Sequence, residues 1–521
     1  MAQTDEKPQA DLVEYLEHES FKDIGVDTAV DKDEAAWNRH FRSKDEEYIA
    51  HLKKGLLRKV NIHLLPLLGL MYLLNFLDRS NLAQARLGTL EKDLNMKGSD
   101  YNLATSILFV GYILMQLPSN LLLTRIRPSL YLGICMTTWG VISTVQAATH
   151  SFGGLVAARF FLGFAEAPFF PGAIFLMSSW YTRAELANRI SWFYVGATLA
   201  NAFGGLLGAG VLGNLEGVHG ISGWRYLFII EGAITIAFAV LCAVVLPDYP
   251  MTTRWLSQEE RAFAAWRLAV DVGEGDQVEG VGVREGLIMA LKDRKLYVFV
   301  LFQHCSLLTQ AFQYFLPSIV ETLGFGNITT LLITAPVWIL TFFVALVATY
   351  SSGRTGDRSI HIACLSMVSV AGNIICVSTL NTPARFFGMF LMPLGTICSY
   401  QILLTWLANT FPRPLVKRSA TISIANMLGN ASNIYAPYMY PSSDSPRYIA
   451  GGIATAAVSG VVAVLAICIR FWLAAENRKM DRAEADEFGV DARDGAEGGE
   501  VRATGGAVES GIGEVRFRYI L

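Results

Sequence analysis

Two charges sit where charges are costly. The apolar run VAARFFLGFAEAPFFPG, Val156 to Gly172, holds Arg159 and Glu166. Seven residues make almost two helical turns, so both side chains fall on one face, about 10 Å apart along the axis. Gly163 lies on that face between them and leaves room. In a membrane, such groups face a cavity or a partner and mark a substrate or ion path. At that separation they do not touch easily, so each calls for a partner elsewhere. A lone buried pair adds little stability, because desolvation offsets its attraction. A buried carboxyl, however, can exchange protons near neutral pH. A proton-coupling role for Glu166, with Arg159 beside it, therefore outweighs a structural one.

A second constellation precedes it. LLNFLDRSNLAQARL sets Asp78 beside Arg79, with Asn75, Ser80 and Asn81 around them. Two readings stand level. One is a salt bridge at a helix end, with Arg79 snorkelling. The other is a binding site in which Arg79 takes a carboxylate and Asp78 a proton, since a guanidinium donates two parallel hydrogen bonds to a carboxylate. Further polar residues lie in apolar runs: Tyr112, Glu231, Gln303, His304, Gln310 and Gln313. Glu231 reads as a hydrogen-bonded structural acid in preference to a third titrating group. His304 reads as a satisfied neutral imidazole in preference to a proton shuttle. Tyr112 taken alone reads as packing. Gln303 and Gln310 share a face by the same two-turn spacing. Asn426, Asn430 and Asn433 form one stripe, which either binds neighbouring helices or lines a cavity.

The elements that must position these residues follow from composition. The chain has 521 residues, 52% of them hydrophobic and 17% charged, with a mean hydropathy of +0.38. That is far too apolar for an ordinary soluble protein. The net charge of −3 points to no nucleic-acid partner. The seven cysteines lie in apolar runs without CxxC spacing, so they read as small packed hydrophobes. No GxxxxGK[ST] run is present, which removes support for ATP-driven work, and no HExxH or CxxC pair supports a metal. Neither an enzyme nor a cofactor is indicated. A cleaved signal peptide is not expected either, because the polar, acidic N-terminus lacks the basic and apolar regions of one.

Spans of about 20 apolar residues fall near 61–82, 102–124, 130–149, 153–178, 189–213 and 225–247, then near 296–320, 328–350, 360–380, 385–411, 418–440 and 448–473. The expectation is an all-α membrane protein of twelve transmembrane helices in two six-helix bundles. Lys and Arg concentrate in the even-numbered connections, which hold Arg125 and Arg127, Arg183 and Arg189, Arg254 through Lys295, Arg354 and Arg358, and Arg413 through Arg418. By the positive-inside rule both termini and the central linker are cytoplasmic. The chain divides into a disordered tail (1–55), a first bundle (56–247), a linker (248–295), a second bundle (296–474) and a disordered tail (475–521). The linker piece Ser257 to Val270 is amphipathic, and reads as a short helix on the membrane surface whose Glu259, Glu260, Arg261 and Arg267 stay in water. Asn327-Ile328-Thr329 is a glycosylation sequon, in a loop too short and too near the bilayer for efficient modification.

Several stretches resemble a known family. LLRKVNIHLLPLLGLMYLLNFLDRSNLAQAR, EKDLNMKGSDYNLATSILFVGYILMQLPSNLLLTRIRPS, RFFLGFAEAPFFPGAIFLMSSWYTRAELANR, GWRYLFIIEGAIT and LPDYPMTTRWLSQEER are similar to the anion:cation symporter family of the major facilitator superfamily, in its fungal allantoate and nicotinate permease branch. The likeness runs from Leu56 to Asn477, and NTFPRPLVKRSATISIANMLGN with PYMYPSSDSPRYIAGGIATA most resembles nicotinic acid permeases. The resemblance implies two bundles around a central cavity that opens alternately to either side. It implies that Arg79 holds a substrate carboxylate, that Asp78 and Glu166 carry protons, and that Arg159 balances them. Tyr112, Gln303 and Asn426 match cavity positions. One departure is visible: SNLLLTRIRPS lacks the Asp of the superfamily's inner signature, whereas GRTGDRS keeps Asp357 and Arg358 as a one-sided inner gate.

The implied activity is proton-coupled uptake of a small organic monocarboxylate at the plasma membrane, nicotinate first, with no obligate protein partner beyond the lipid bilayer. The alternatives are another anion, such as allantoate, pantothenate, biotin or an exported secondary metabolite, and a transporter-like nutrient sensor. The short tails argue against the sensor. Charge balance supports coupling: Asp78, Arg79, Arg159 and Glu166 sum to zero, and an added anion upsets that balance unless a proton accompanies it.

Overall fold

The computed structural model describes residues 37, 39–41, 43–123, 126–253, 255–273, 283–411, 415–488, 507–509, 515–517, 519 and 520. Each predicted span is helical. The first half comprises α1 (Glu46–Arg86), α2 (Asp100–Leu123), α3 (Pro128–Gln146), α4 (Phe152–Glu166), α5 (Phe169–Ser178), α6 (Arg183–Asn214) and α7 (Gly223–Val245). Together α4 and α5 make the fourth span, broken after Pro168. The connection holds α8 (Gln258–Gly273) and α9 (Val283–Lys292). The second half comprises α10 (Arg294–Leu308), α11 (Leu316–Glu321), α12 (Asn327–Thr355), α13 (Ser359–Ser378), α14 (Thr382–Thr410), α15 (Leu415–Asn430), α16 (Ser432–Tyr435) and α17 (Ile449–Phe488).

Eight helices among the described residues are long and apolar enough to cross a membrane on composition alone. The seventh and eleventh spans are broken instead: α10 gives way to a 3-10 turn at Ala311–Tyr314 before α11, and α15 to the short α16. Irregular backbone at membrane depth is tolerated where it lines a cavity, and both breaks border the space between the two halves. Val244, Val347 and Phe471 face outward, as an apolar surface in lipid requires.

The inner end of the molecule is the one from which α1 starts. Three apolar cores divide the interior. One packs the inner part of the first half, from Leu56 through Met177 to Ala264. A second packs the inner part of the second half, around Phe299, Trp406 and Leu473. The third lies at the outer end and is built from both halves at once, with Leu82, Tyr101 and Trp224 sharing it with Phe312, Phe315 and Tyr440. Polar contacts between the halves repeat this pattern. At the outer end Arg86 Nη2 donates to Ser442 Oγ at 3.0 Å, Tyr101 Oη to the Tyr314 carbonyl at 2.8 Å and Asn102 Nδ2 to the Pro437 carbonyl at 3.0 Å. Asn327, the sequon residue, donates its side-chain amide to the Leu87 carbonyl. The molecule is thus joined at its outer end, while its inner cores are separate.

Three predictions about segments outside the membrane need correction. Residues 46–55, assigned to the tail, already belong to α1. Ile49 and Leu52 on that extension pack half-buried against the inner core of the first half, and Leu56 and Val60, which follow it, are fully buried, so packing carries the helix past the apolar span. Ahead of it, Phe41 is buried against Phe263 and Trp266; residues 1–36 lie outside the described residues.

The linker helix α8 does not lie in water on a membrane surface. Phe263 and Ala264 are buried, and so are Glu260 and Arg267. Arg267 donates to Glu185 at 3.1 Å and to the Trp180 carbonyl at 2.5 Å, and Lys59 pairs with Glu260 at 2.6 Å. These pairs dock the linker onto the inner end of the first half. Burial by itself would push the Glu185 carboxyl up. Arg267, the Thr182 N–H and Lys53 outweigh that and hold it below the usual glutamate range. Glu260 is likewise held low, with burial opposed by Lys59 and Ser257.

The C-terminal segment is also more structured than predicted. Helix α17 continues to Phe488, and β1 (Ala507–Glu509) pairs antiparallel with β2 (Val515–Phe517). Beyond them Tyr519 exchanges hydrogen bonds of 2.9 Å with the Asn477 side chain, and Trp406 Nε1 donates to the Ile520 carbonyl at 2.9 Å. The remaining residues from 489 on lie outside the described residues.

Candidate functional site

Between the halves lies a cavity of about 890 Å³, counting its open mouth. Its first-half wall comes from α1, α2, the end of α4 and α6, and presents Arg79, Tyr112 and Glu166. Its second-half wall comes from the broken seventh and eleventh spans and from α14. It presents Gln310, Gln313 and Tyr314, then Asn426, Asn430 and Asn433, with Tyr400 and Gln401. One side is therefore charged and aromatic, the other rich in neutral amides.

The geometry joins the two constellations read in the sequence. Arg79 Nε donates to Glu166 Oε2 at 2.5 Å. The Glu166 side chain is fully buried and that of Arg79 is 12% exposed. Rings surround the guanidinium, with Tyr112 at 4.9 Å, Phe76 at 5.7 Å and Phe109 at 6.0 Å from its carbon. Such faces attract a cation and suit a flat ligand. The partner that Glu166 needed is thus Arg79 of α1. Arg159 turns elsewhere: it is buried, donates from Nε to the Ala104 carbonyl at 3.3 Å and leaves Nη1 without a partner among the described residues. It does not line the cavity.

Gly163 leaves room, but for a helix and not for the charges. A Cβ there would lie 1.9 Å from the Leu108 carbonyl oxygen, and one at Gly111 would lie 2.2 Å from the Phe160 carbonyl oxygen. These two glycines let α2 and α4 touch backbone to backbone, which brings Tyr112 and Glu166 to the same wall.

Asp78 faces away from the cavity. Its Oδ1 accepts from Ser143 at 2.7 Å and its Oδ2 from Thr235 at 3.1 Å, so it sits in the α1–α3–α7 contact. Adjacent residues on a helix point about 100° apart, so Asp78 and Arg79 could not both face one wall. Gln303 is also off the cavity: it is buried behind Tyr400, whose hydroxyl its amide approaches at 3.4 Å. Its two-turn mate Gln310 lines the wall instead. Tyr112 and Asn426 face each other across the space, and the asparagine stripe lines it, with Asn430 Nδ2 donating to Asn426 O and Oδ1. His304 lies against the Leu428 carbonyl at 2.8 Å and the Tyr435 hydroxyl at 2.5 Å.

Asp357 and Arg358, expected at an inner gate, make polar contacts only within the second half, among the described residues. Asp357 pairs with Arg470 of α17 and caps α13 through the Ile360 N–H, while Arg358 donates to Ser352 at 3.0 Å. They join α12, α13 and α17. Reading of single spans missed Tyr314, Asn201, Tyr400 and Gln401. The last two were signalled as a polar pair within the apolar run GTICSYQILLTW.

Comparison with known proteins agrees with this architecture. The family model described as Major Facilitator Superfamily matches residues 68–437. The chain is 34% identical over 432 residues to the MFS-type transporter efuF of Hormonema carpetanum, covering 82% of this chain and 86% of that one. It is 33% identical over 470 residues to the MFS-type transporter cnsO of Penicillium expansum, covering 87% and 88%. Among solved structures, an inward-facing, unoccupied bacterial homologue of the human lysosomal transporter Spinster shares the fold, with a TM-score of 0.60 at 15% identity over 82% of this chain and 96% of that one. Helical spans in two halves among the described residues, a polar cavity between those halves and these matches lead to one conclusion: the chain is a membrane transporter and belongs to the major facilitator superfamily.

Proposed function

We propose that the protein takes up a small organic monocarboxylate together with protons across the plasma membrane, with nicotinate as the first candidate. The Arg79–Glu166 pair on the cavity wall carries this reading. Arg79 is the cation that an incoming carboxylate would seek, and Glu166 already occupies it. A substrate anion gains Arg79 most readily when Glu166 takes a proton and lets go. Substrate and proton then load together, and the wall keeps its net charge. Asp78 and Arg159 act behind this wall, Asp78 as a second proton carrier in the α1–α3–α7 contact and Arg159 as a balancing charge.

The surroundings favour a flat aromatic acid. Phe76, Phe109 and Tyr112 offer ring faces beside Arg79. The amides of Gln310 and Asn426 on the opposite wall can donate to a ring nitrogen. The experiment is uptake of labelled nicotinate into cells or proteoliposomes containing the protein, at fixed membrane potential. Uptake should rise with an inward proton gradient and collapse with a protonophore. Saturable uptake indifferent to pH would refute coupling, and transport of a different carboxylate only would refute the substrate assignment.

A further inference from the structure

Behind the cavity wall, α1, α3 and α7 enclose two polar layers. The inner one is satisfied: Asp78 accepts from Ser143 and Thr235. The next layer outward follows from helical periodicity. Asn81 is one turn beyond Asp78 on α1, and Gln146 one turn beyond Ser143 on α3. Helix α7 runs the opposite way, so Glu231, one turn before Thr235, reaches the same level. The α3–α7 register agrees, since Gly140 packs on Thr235 and Ile236 while Gly232 packs on Thr144. Glu231 faces Asn81 and has Asp78 as a near neighbour.

This outer layer is buried and unsatisfied. Asn81 and Gln146 are 0% exposed and Glu231 is 1% exposed. Both side-chain oxygens of Glu231, and the nitrogen and oxygen of both amides, lack a hydrogen-bond partner among the described residues. Among the described residues no cation answers the Glu231 charge. Arg79 of α1 is committed to Glu166. Helix α3 carries no charged side chain, and its titratable Tyr131 and Cys135 lie toward the inner end. Helix α6 has no ionisable residue from Gly196 to Asn214. On α7 itself Arg225 donates to the Ala147 carbonyl.

We propose that Asn81, Gln146 and Glu231 form a proton site, separate from the cavity, in which Glu231 holds the proton as a neutral carboxyl. The chemistry fits the donor set. A carboxylic acid has one donor and an acceptor, and each amide offers both. The neutral acid can donate to one amide oxygen and accept from the other amide's NH₂. An ionised Glu231 would leave two carboxylates side by side with no cation, a state that low-dielectric surroundings oppose. A metal cation is disfavoured because both Asp78 oxygens are already engaged. The part this proton plays in a transport cycle rests on the proton-coupled function; the site itself does not.

The test needs no substrate. Infrared difference spectra of the full-length protein in liposomes, taken on hydrogen–deuterium exchange at neutral pH, report protonated buried carboxyls. The wild-type protein should show such a band, which Glu231→Gln loses and Glu166→Gln keeps. Gln146→Leu removes a hydrogen bond from the carboxyl and should shift the band. If Glu231→Gln does not fold, an unshifted band in Gln146→Leu overturns the proposal by itself. A full-strength band in folded Glu231→Gln also overturns it, as does a band that weakens when sodium replaces choline at fixed pH. If no carboxylate is transported yet the Glu231 band is present, the functional reading fails and this site stands.

Discussion

Glu166→Gln tests the coupling mechanism most directly. The side chain keeps its shape and a hydrogen bond to Arg79 but loses its charge. Arg79 Nε and Glu166 Oε2 are 2.5 Å apart, which places the charge centres roughly 4 Å apart. At an effective dielectric of about 20, that attraction is about 4 kcal/mol. The glutamine hydrogen bond retains about 1 kcal/mol of it. An incoming carboxylate must overcome this hold at a pH where Glu166 is ionised. About 3 kcal/mol corresponds to roughly a hundredfold in affinity, and relaxation in the wall reduces it. At pH 8 the variant should therefore bind nicotinate at least about tenfold more tightly than the wild type, measured by calorimetry on purified protein.

Transport should then split. Exchange of labelled for unlabelled nicotinate across liposomes should continue at the new affinity. Accumulation against a gradient should be lost. With one proton per monoanion, a pH difference of one unit sustains about tenfold accumulation, because one unit is worth about 1.36 kcal/mol. Glu166→Gln should bring that ratio to one. Accumulation at the wild-type ratio, or an unchanged affinity at pH 8, would refute the assignment of Glu166.

Three further outcomes follow from the same structure. Arg79→Lys keeps the charge but loses the fork, so nicotinate affinity should fall by about tenfold or more, as expected for a lost charge-assisted hydrogen bond; unchanged affinity by calorimetry would remove Arg79 from the site. Gly163→Ala forces a Cβ to within 1.9 Å of the Leu108 carbonyl oxygen, so α2 and α4 must part at a cost of about 1–3 kcal/mol; a melting temperature equal to wild type would contradict that contact. Arg267→Ala takes one of three partners from the half-buried Glu185, which keeps Lys53 and the Thr182 N–H, and should loosen the linker by about 1–2 kcal/mol, read as faster proteolysis near residues 258–273. Because Glu185 is held low in the folded protein, its contribution is present above the ordinary glutamate value of about 4.3. It is lost as pH falls through the lower folded value. The wild type should therefore become protease-sensitive in acid, with Arg267→Ala changing far less over the same range.

The sequence by itself determined the class and much of the cavity's polar inventory. Spans of about 20 apolar residues can satisfy their backbone in lipid only as helices, so the helices were legible one by one. Charges in those spans were legible for the same reason: a group as costly as Glu166 or Arg79 at that depth stands out against its neighbours. The asparagine stripe on α15 and α16 was legible from spacing alone. What spacing could not give was the partner across a helix contact. Arg159 and Glu166 share a helix face, yet Glu166 pairs with Arg79 and Arg159 with a backbone carbonyl.

Only the tertiary structure decided which of two adjacent polar residues met the cavity. Asp78 and Arg79 are neighbours in sequence, but about 100° of helical turn sends one to the α1–α3–α7 contact and the other to the wall. The same holds for Gln303 and Gln310, where a break in the seventh span separates a buried residue from a lining one. The linker gave the opposite error. Arg267 and Glu260 look solvated on a lone amphipathic helix, and only docking on α1 and α6 supplies the partners that bury them. Periodicity fixes what lies on each face of a helix; which face meets which neighbour depends on contacts far apart in the chain.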